Sequence, residues 1–564
     1  MRAYARSLGL HLLDIPIVGS LLFLTALLVL VACRSLAWVV HWDATHFQHM
    51  AYLINEKGLV PYQDIFDPNM PGALLFHVVL GKLLGYGDLA YRIFDLLWLA
   101  ALSGCTWKLL RAFDWRAAWL GVVAFGLHYL LRGEKQNLQR DYLIILPLAA
   151  AVLLASTSSF CATWPKLRLC GMGALFGAAA TIKPQALVGL PVVLWMDAVL
   201  AARPLFTLQP AHARDTGTGL GVAPDPQRAV AGRTFREGLL DAAARGTLAA
   251  AGLCVPVLLC LAWLWAAGGL GAFHRMATQY WPIFTSMHFA ETIKPLEGQE
   301  LWGYLWICAR TFWNFCGSEW LCVPALLVVG QAVLGKTYSD ARKKITLGWC
   351  LLVLAYYGAV VLVGQFHPYS WMPMLYFLIL LAAPCLFQAS RVARSGMELL
   401  MLLAVFPCLL FSLEYLPKSY LDQLQGKDQR LSWGERPQEI AEFLRAHARP
   451  GDQVQPLDWL GGTSRALLLA EAEPATPLLE DLFLYVRVKE PFVKNLRQEF
   501  LCRLDARPPR FIVHVLERNR LSAGDPEDTL EFQNKLTAFV KDRYDPVRVG
   551  VGYIIYERKI MAAP

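Results

Sequence analysis

Residues 12–46 read LLDIPIVGSLLFLTALLVLVACRSLAWVVHWDATH. Positions 12 to 33 are apolar almost without interruption, and a helix of that length crosses the ~30 Å hydrocarbon core of a bilayer. Directly after it stand His41, Trp42, Asp43, Ala44, Thr45 and His46, an ionisable cluster at the mouth of the apolar run. Arg2 and Arg6 precede the run and no small-residue cleavage site follows it, so it is expected to be a retained first span, not a removed signal peptide.

The rest of the chain has the same character. Of its 564 residues 56% are hydrophobic and only 17% are charged, and 19 are Trp; the mean hydropathy is +0.40. That is too apolar for a soluble domain, and the indoles suit the headgroup level of a membrane. Further apolar runs lie near 89–110, 116–132, 141–158, 168–182, 184–201, 246–268, 319–335, 345–364, 370–388 and 397–416, about eleven spans in all. The net charge of +8 is spread over short loops, which fits orientation signals and gives no reason to expect nucleic acid as a partner. With the N-terminus in the cytoplasm, the basic loops Arg111–Arg116, Lys166–Arg168, Arg203–Arg245, Lys336–Lys344 and Arg391–Arg394 all fall inside. Of the 13 Cys only Cys502 lies in the polar C-terminal region, and neither a disulfide framework nor a CxxC metal site is present.

The fold class expected is therefore an α-helical polytopic membrane protein with a small extracytoplasmic α/β domain. The membrane module is 1–416, with external loops at 34–88 and 269–318 and a cytoplasmic loop at 202–245 rich in Gly, Pro, Ala and Thr. The segment Gly72–Leu84, bounded by Pro68 and Pro71 and by Gly85–Gly87, is left out of the span count as a short helix along the outer surface. In 417–564 the pattern predicts a helix over Arg436–His447 and strands over Gln453–Leu457, Arg510–Val515 and Val551–Tyr556. No Asn-x-Ser/Thr sequon occurs, in keeping with a bacterial source and its inner membrane.

Asp43 at the end of the first span can act as a general base toward an acceptor hydroxyl, or it can cap the helix that follows. Lys183, between two apolar runs, needs an anionic partner or a wet cavity; a lipid phosphate would serve, as would snorkelling to the headgroups. Asp141 can position an acceptor or pair with Arg140 or Lys135. His367 and Tyr369 can donate to a leaving phosphate or belong to an aromatic belt.

The order of these groups carries a resemblance. Asp43, then Val60-Pro61-Tyr62-Gln63-Asp64-Ile65-Phe66-Asp67-Pro68-Asn69-Met70-Pro71-Gly72, an interfacial helix, Tyr91, Arg92 and Asp95, Gln139-Arg140-Asp141-Tyr142, Ile182-Lys183-Pro184-Gln185 and Gly364-Gln365-Phe366-His367-Pro368-Tyr369 follow one another. So ordered, the chain resembles the GT-C membrane glycosyltransferases, in particular the bacterial branch related to protein mannosyltransferases and the aminoarabinose transferase. The resemblance implies a transferase that takes a sugar from a polyprenyl-phosphate donor in the membrane lipid and gives it to an acceptor glycan, lipid or protein. It implies Asp43 and Asp141 as catalytic carboxylates that can also hold a divalent cation such as Mg, Mn or Zn. It assigns Lys183, His367, Tyr369 and Arg140 to the donor phosphate, and His46, Tyr62 and Asp67 to acceptor or loop positioning. Ala44 and Thr45 stand where a second acid often follows the first, so a paired-acid site in that loop is not implied.

Two other readings stay open at this stage. A transporter or flippase would place ionisable groups near the midplane and show hydropathy repeats, which the chain lacks; a catalytically silent GT-C-like assembly protein would keep the fold alone. The topology is open to a direct check: a reporter fused after Pro564 should be active only outside the cytoplasm, and cytoplasmic activity would put every site residue on the wrong side.

Overall fold

The computed structural model describes residues 14–41, 43–156, 164–200, 235–285, 300–316, 319–334, 338–364, 366–384, 434–459, 462–516 and 526–559. By contact the chain groups into two units, neither continuous in sequence. One contains 1–38, 92–259 and 301–418; the other contains 39–91, 260–300 and 419–564. One division, between 418 and 419, falls close to the change of composition near 416, and the segments 39–91 and 260–300 group with the C-terminal residues.

The described part of the first unit is helical. At its centre lies Met372–Ala382, every residue of which is buried, with Glu319–Leu334, Asp340–Val363 and Trp115–Leu131 packed around it. A helix apolar on all sides has no face for water and must be enclosed. Its one phenol, Tyr376, meets the Thr106 hydroxyl at 3.0 Å.

Among the described residues four helices are long and apolar enough to cross a membrane: Val18–Ser35, Asp88–Arg111, Leu240–Ala266 and Asp340–Val363. They account for part of the roughly eleven spans expected from the apolar runs. The run 397–416 lies outside the described residues, and several others form helices too short for a full crossing, such as Ile145–Ser156 and Leu190–Leu200. The physical cause is plain at 184–201. Pro184 cannot continue the helix Pro165–Ile182, so Pro184–Gly189 is a tight 3-10 turn and the α-helix resumes only at Leu190.

Close packing inside this unit depends on small residues. A Cβ added at Gly173 would run into the backbone of Ala249, one at Gly177 into the Leu253 carbonyl and the Pro256 ring, and one at Gly252 into the Cys170 carbonyl. Gly173 and Gly177, four apart, share one face of Pro165–Ile182, and that face lies directly on the backbone of Phe235–Ala266, as small-xxx-small faces allow. The same helices are tied by charge. Asp197, fully buried on Leu190–Leu200, receives Arg168 Nη2 at 2.7 Å and the Arg245 guanidinium as well.

The second unit joins helices to a five-stranded sheet. Strands β1 (Gln453–Leu457), β2 (Glu473–Pro474), β3 (Phe511–Val515), β4 (Tyr544–Gly550) and β5 (Tyr553–Arg558) run in the order β2-β1-β3-β5-β4. The first three are mutually parallel, and β5 is antiparallel to both β3 and β4. Val454, Phe511, Val513, Tyr553 and Ile555 on the sheet bury Ile440, Leu444, Ala466 and Leu467 from the covering helices. The helix Arg436–His447 and strand β1 have the bounds that the pattern predicts. The last strand begins two residues later than expected, since Val551 and Gly552 make the hairpin turn with Gly552 at φ +77°. In the first loop, Pro71–Leu84 is the bounded helix expected there, with Pro71 at its first turn and Gly85 at φ +80° after its end.

The glycine face yields a prediction. Gly173→Leu should destabilise the detergent-solubilised protein by about 1 to 3 kcal/mol through overpacking, read as a lower melting temperature. Gly104→Ala, with nothing within 4 Å of the added carbon, should be neutral or gain up to about 1 kcal/mol of helix stability.

Candidate active site

In the second unit the helix Asp43–Lys57 begins at Asp43 itself. Its start is fixed from two sides. The Thr45 hydroxyl donates to the Val40 carbonyl at 2.7 Å, and the Val40 N–H donates to Asp88 Oδ1 at 3.1 Å. Asp88 in turn accepts a two-pronged contact from Arg465, at 2.9 and 2.8 Å. Arg465 belongs to the helix Thr463–Ala470, which follows β1 and packs on Asp43–Lys57. The entry to that helix is held by Asp458, whose carboxylate accepts from the Thr463 N–H at 2.9 Å.

One turn after Asp43, His46 lies against this helix start, with Nδ1 3.1 Å from the Ser464 hydroxyl and 3.7 Å from Glu480 Oε1. Burial pulls the His46 imidazole down to about 4 against the opposing effect of Asp43. Burial, and then the carboxylates of Asp458, Asp43, Asp67 and Asp481, push Glu480 well above the ordinary range. Near neutral pH His46 is therefore uncharged, and burial favours the protonated form of Glu480. A further turn on, His49 is fully buried, neither ring nitrogen has a hydrogen-bond partner among the described residues, and burial followed by His46 holds it down to about 3. The arrangement is a half-buried carboxylate at a helix start, next to a neutral imidazole and a buried acid whose burial favours its protonated form.

The loop carrying Tyr62 and Asp67 braces itself. Asp64 Oδ2 accepts from the Val60 N–H at 2.9 Å, Asp67 Oδ1 accepts from the Asn69 side-chain amide at 2.6 Å, and the Tyr62 hydroxyl donates to the Asn69 carbonyl at 2.9 Å. Tyr62 takes φ +64°, a conformation that a bulky residue adopts only when its surroundings compel it.

In the first unit Asp141 lies on the short helix Arg140–Leu143, reached through a turn with Gly133 at φ +78° and Leu138 at φ +52°. The turn hangs on a buried aromatic stack: Tyr129 and Tyr142 lie 3.9 Å apart, the Tyr129 hydroxyl donates to Asp95 Oδ1 at 2.6 Å, and the Leu138 N–H donates to that hydroxyl at 3.2 Å. Lys183 Nζ donates to both Asp141 oxygens at 2.6 Å. Their side chains are only 12% and 4% exposed, so Asp141 is an anionic partner of Lys183 within the chain. Pro184 interrupts the helix at Lys183, where the backbone is extended and the side chain is turned toward Asp141. The pair lines a small cleft with Gln185, Tyr356, Ser370 and Pro373. The Ser370 hydroxyl and Gln185 Oε1 are buried with no hydrogen-bond partner among the described residues.

His367 is exposed and stacks on Tyr369 at 5.2 Å, and the cleft is lined from their segment by Ser370 and Pro373 instead. Arg140 is half-buried beside Asp141. For the divalent cation assigned to Asp43 and Asp141, the described residues hold no group of three or more His, Cys, Asp or Glu side chains that fits a metal ion, and both Asp141 oxygens already serve Lys183. No step is built on a cation here. Sequence reasoning missed Asp88, Ser464, Arg465 and Glu480.

No family model matches the sequence, and no curated protein matches it. Among solved structures, the chain is similar to ArnT from Cupriavidus metallidurans bound to undecaprenyl phosphate, at 14% identity and a TM-score of 0.54, with 97% of this chain and 99% of that chain covered. It is also similar to the apo state of ArnT from Cupriavidus metallidurans, at 12% identity and a TM-score of 0.49, with coverage of 96% and 98%. A third is the Archaeoglobus fulgidus oligosaccharyltransferase in complex with Zn and sulfate, at 12% identity and a TM-score of 0.46, covering 94% of this chain and 73% of that one. The first of these likenesses shows the fold. The chain shares the fold of that ArnT along nearly its whole length.

The buried pair can be tested without any substrate. Lys183→Met strands a carboxylate in an apolar cleft and should cost about 3 to 5 kcal/mol. Asp141→Leu combined with Lys183→Met should recover most of that loss, as measured by melting of the purified variants in one detergent.

Proposed function

We propose that the chain is a glycosyltransferase that moves a sugar from a polyprenyl-phosphate donor to an acceptor at the extracytoplasmic face of a bacterial inner membrane, with its N-terminus in the cytoplasm and its C-terminal domain outside. The observation that carries this reading is Asp43. It stands at the start of a buried helix, next to neutral His46 and the buried Glu480, in a chain whose fold is that of an ArnT solved with undecaprenyl phosphate.

In the proposed reaction an acceptor hydroxyl attacks the anomeric carbon of the donor sugar, and Asp43 takes the hydroxyl proton as the new C–O bond forms. The bond from that carbon to the phosphate oxygen breaks, and its electron pair leaves with the polyprenyl phosphate. His46 remains neutral at working pH, so it adds no positive charge that would weaken the base. Glu480 supplies a hydrogen bond without adding a negative charge. The phosphate is assigned to the cleft of Lys183, where the ammonium with its three donors can serve a carboxylate and a phosphate oxygen together, and where the Ser370 hydroxyl and the Gln185 amide offer further contacts.

Two measurements test the reading. Undecaprenyl phosphate should raise the melting temperature of the full chain in detergent, since a ligand at a hundred times its Kd adds about 2.7 kcal/mol. Asp43→Asn should keep that response and change stability by no more than about 0.5 kcal/mol, while transfer from a lipid-linked sugar falls by about 10² to 10⁴. Near-normal turnover in the folded variant would remove Asp43 from the reaction.

A further inference from the structure

Within the second unit, a cavity of about 400 Å³ opens between the loop at Tyr62–Phe66, the helical segment after Gly269, the turn at Thr476–Leu478 and the helix Pro491–Ala506. That volume falls in the range of small-molecule sites. None of the groups assigned to the reaction lines it except Tyr62.

The cavity is built with care. The Phe66 N–H donates to the Pro477 carbonyl at 2.8 Å, and the Trp281 indole donates to the Pro68 carbonyl at 2.7 Å. A Cβ at Gly269 would strike the Pro61 carbonyl, so the loop and the helix start touch through backbone. One wall is aromatic: the Phe66 ring lies 5.2 Å from Tyr280 and 6.3 Å from Phe492, and Tyr280 lies 5.3 Å from Phe492. Two unusual backbone features border the same space. Tyr62 is held at φ +64°, and Met276–Tyr280 is a π-helix; widened turns and forced dihedrals of this kind concentrate at functional sites.

The rim has a different chemistry. Gln63, Gln279 and Asn495 are exposed carboxamides lining the opening, with Arg275 beside them. A carboxamide both donates and accepts, which matches a hydroxyl that does the same. The nearby Glu499 and Arg503 close on each other at 2.7 Å, so the opening is polar without a strong field of either sign. Flat apolar rings on one side and paired donor-acceptors on the other are complementary to a pyranose, which has a C–H face and an edge of hydroxyls. An aliphatic chain would leave the amides unused, and a strong anion would ask for more charge than Arg275 supplies.

We infer that this cleft binds sugar rings and, resting on the function proposed above, that they belong to the acceptor, which is thereby a saccharide-bearing molecule. Binding here is carried by Phe492 and Phe66 on the apolar side and by Asn495, Gln279 and Gln63 on the polar side.

The test uses the full chain in a detergent without a sugar headgroup, with maltotriose, cellotriose, laminaritriose and chitotriose as probes and saturation-transfer NMR as the readout. At least one trisaccharide should bind, and Phe492→Ala and Asn495→Ala should each weaken it by about threefold to tenfold, the scale of one lost hydrogen bond or ring contact. Both variants should still be stabilised by undecaprenyl phosphate, which shows that they are folded. Absence of binding by all four probes, binding unaffected by both substitutions, or displacement of the sugar by a short peptide would each overturn the inference. Sugar binding that depends on the cleft, in a wild-type chain that undecaprenyl phosphate does not stabilise, would uphold the cleft and count against the donor reading instead.

Discussion

An ionised side chain inside an apolar bundle must bring its counter-charge with it. Three sites in the first unit obey that constraint, and its helices are arranged around them. Asp141 is held by Lys183, Asp197 by Arg168 and Arg245, and Asp95 by the Tyr129 hydroxyl with Arg92 3.9 Å away. The pairs at Asp141 and Asp197 join separate helices, as does the Tyr129–Asp95 hydrogen bond, so the electrostatic requirement doubles as a positional one; Arg92 stands one turn from Asp95 on the same helix. Taking a partner away costs far more than the pair contributes, because the remaining charge has no water to turn to.

The second unit meets a milder form of the same demand. Asp88 is 30% exposed and Arg465 13%, so their contact is partly screened and its value is chiefly geometric. It fixes the turn before Asp43 to the helix Thr463–Ala470, and that helix sets Ser464 against His46. Burial then does the chemical work. It leaves the imidazoles of His46 and His49 uncharged and raises the Glu480 carboxyl, which relieves the crowding of neighbouring carboxylates.

Much of this architecture was legible in the chain. Apolar runs marked where helices lie, and amphipathic and alternating patterns marked Arg436–His447 and β1. Hydropathy alone does not tell a membrane crossing from a short helix enclosed by other helices, as Met372–Ala382 is, so the number of spans is less legible than their positions. Strand β4 escaped because its middle is exposed and contains Pro546, as suits an edge strand that presents no apolar face to read. At the site, Asp43, His46 and Asp141 stood out by type and by position at segment ends. Glu480 and Arg465 did not, since nothing local distinguishes them from solvated charges; only the fold brings them to residues some four hundred positions away. The pairing of Lys183 with Asp141 was hidden for the same reason, although the need of Lys183 for an anion was plain.

The contact between His46 and Ser464 spans 418 positions, and that between Asp88 and Arg465 spans 377. A chain is synthesised from its N-terminus, so Asp43 and its helix leave the ribosome long before the groups that set their surroundings exist. The membrane helices between must be placed first, and the long loop is closed only at the end. Until Ser464 and Glu480 arrive, His46 is a hydrated imidazole of ordinary basicity and Asp43 an unsupported carboxylate. Formation of the pocket thus waits for synthesis past Glu480, and a product truncated before it would lack the surroundings in which Asp43 is placed.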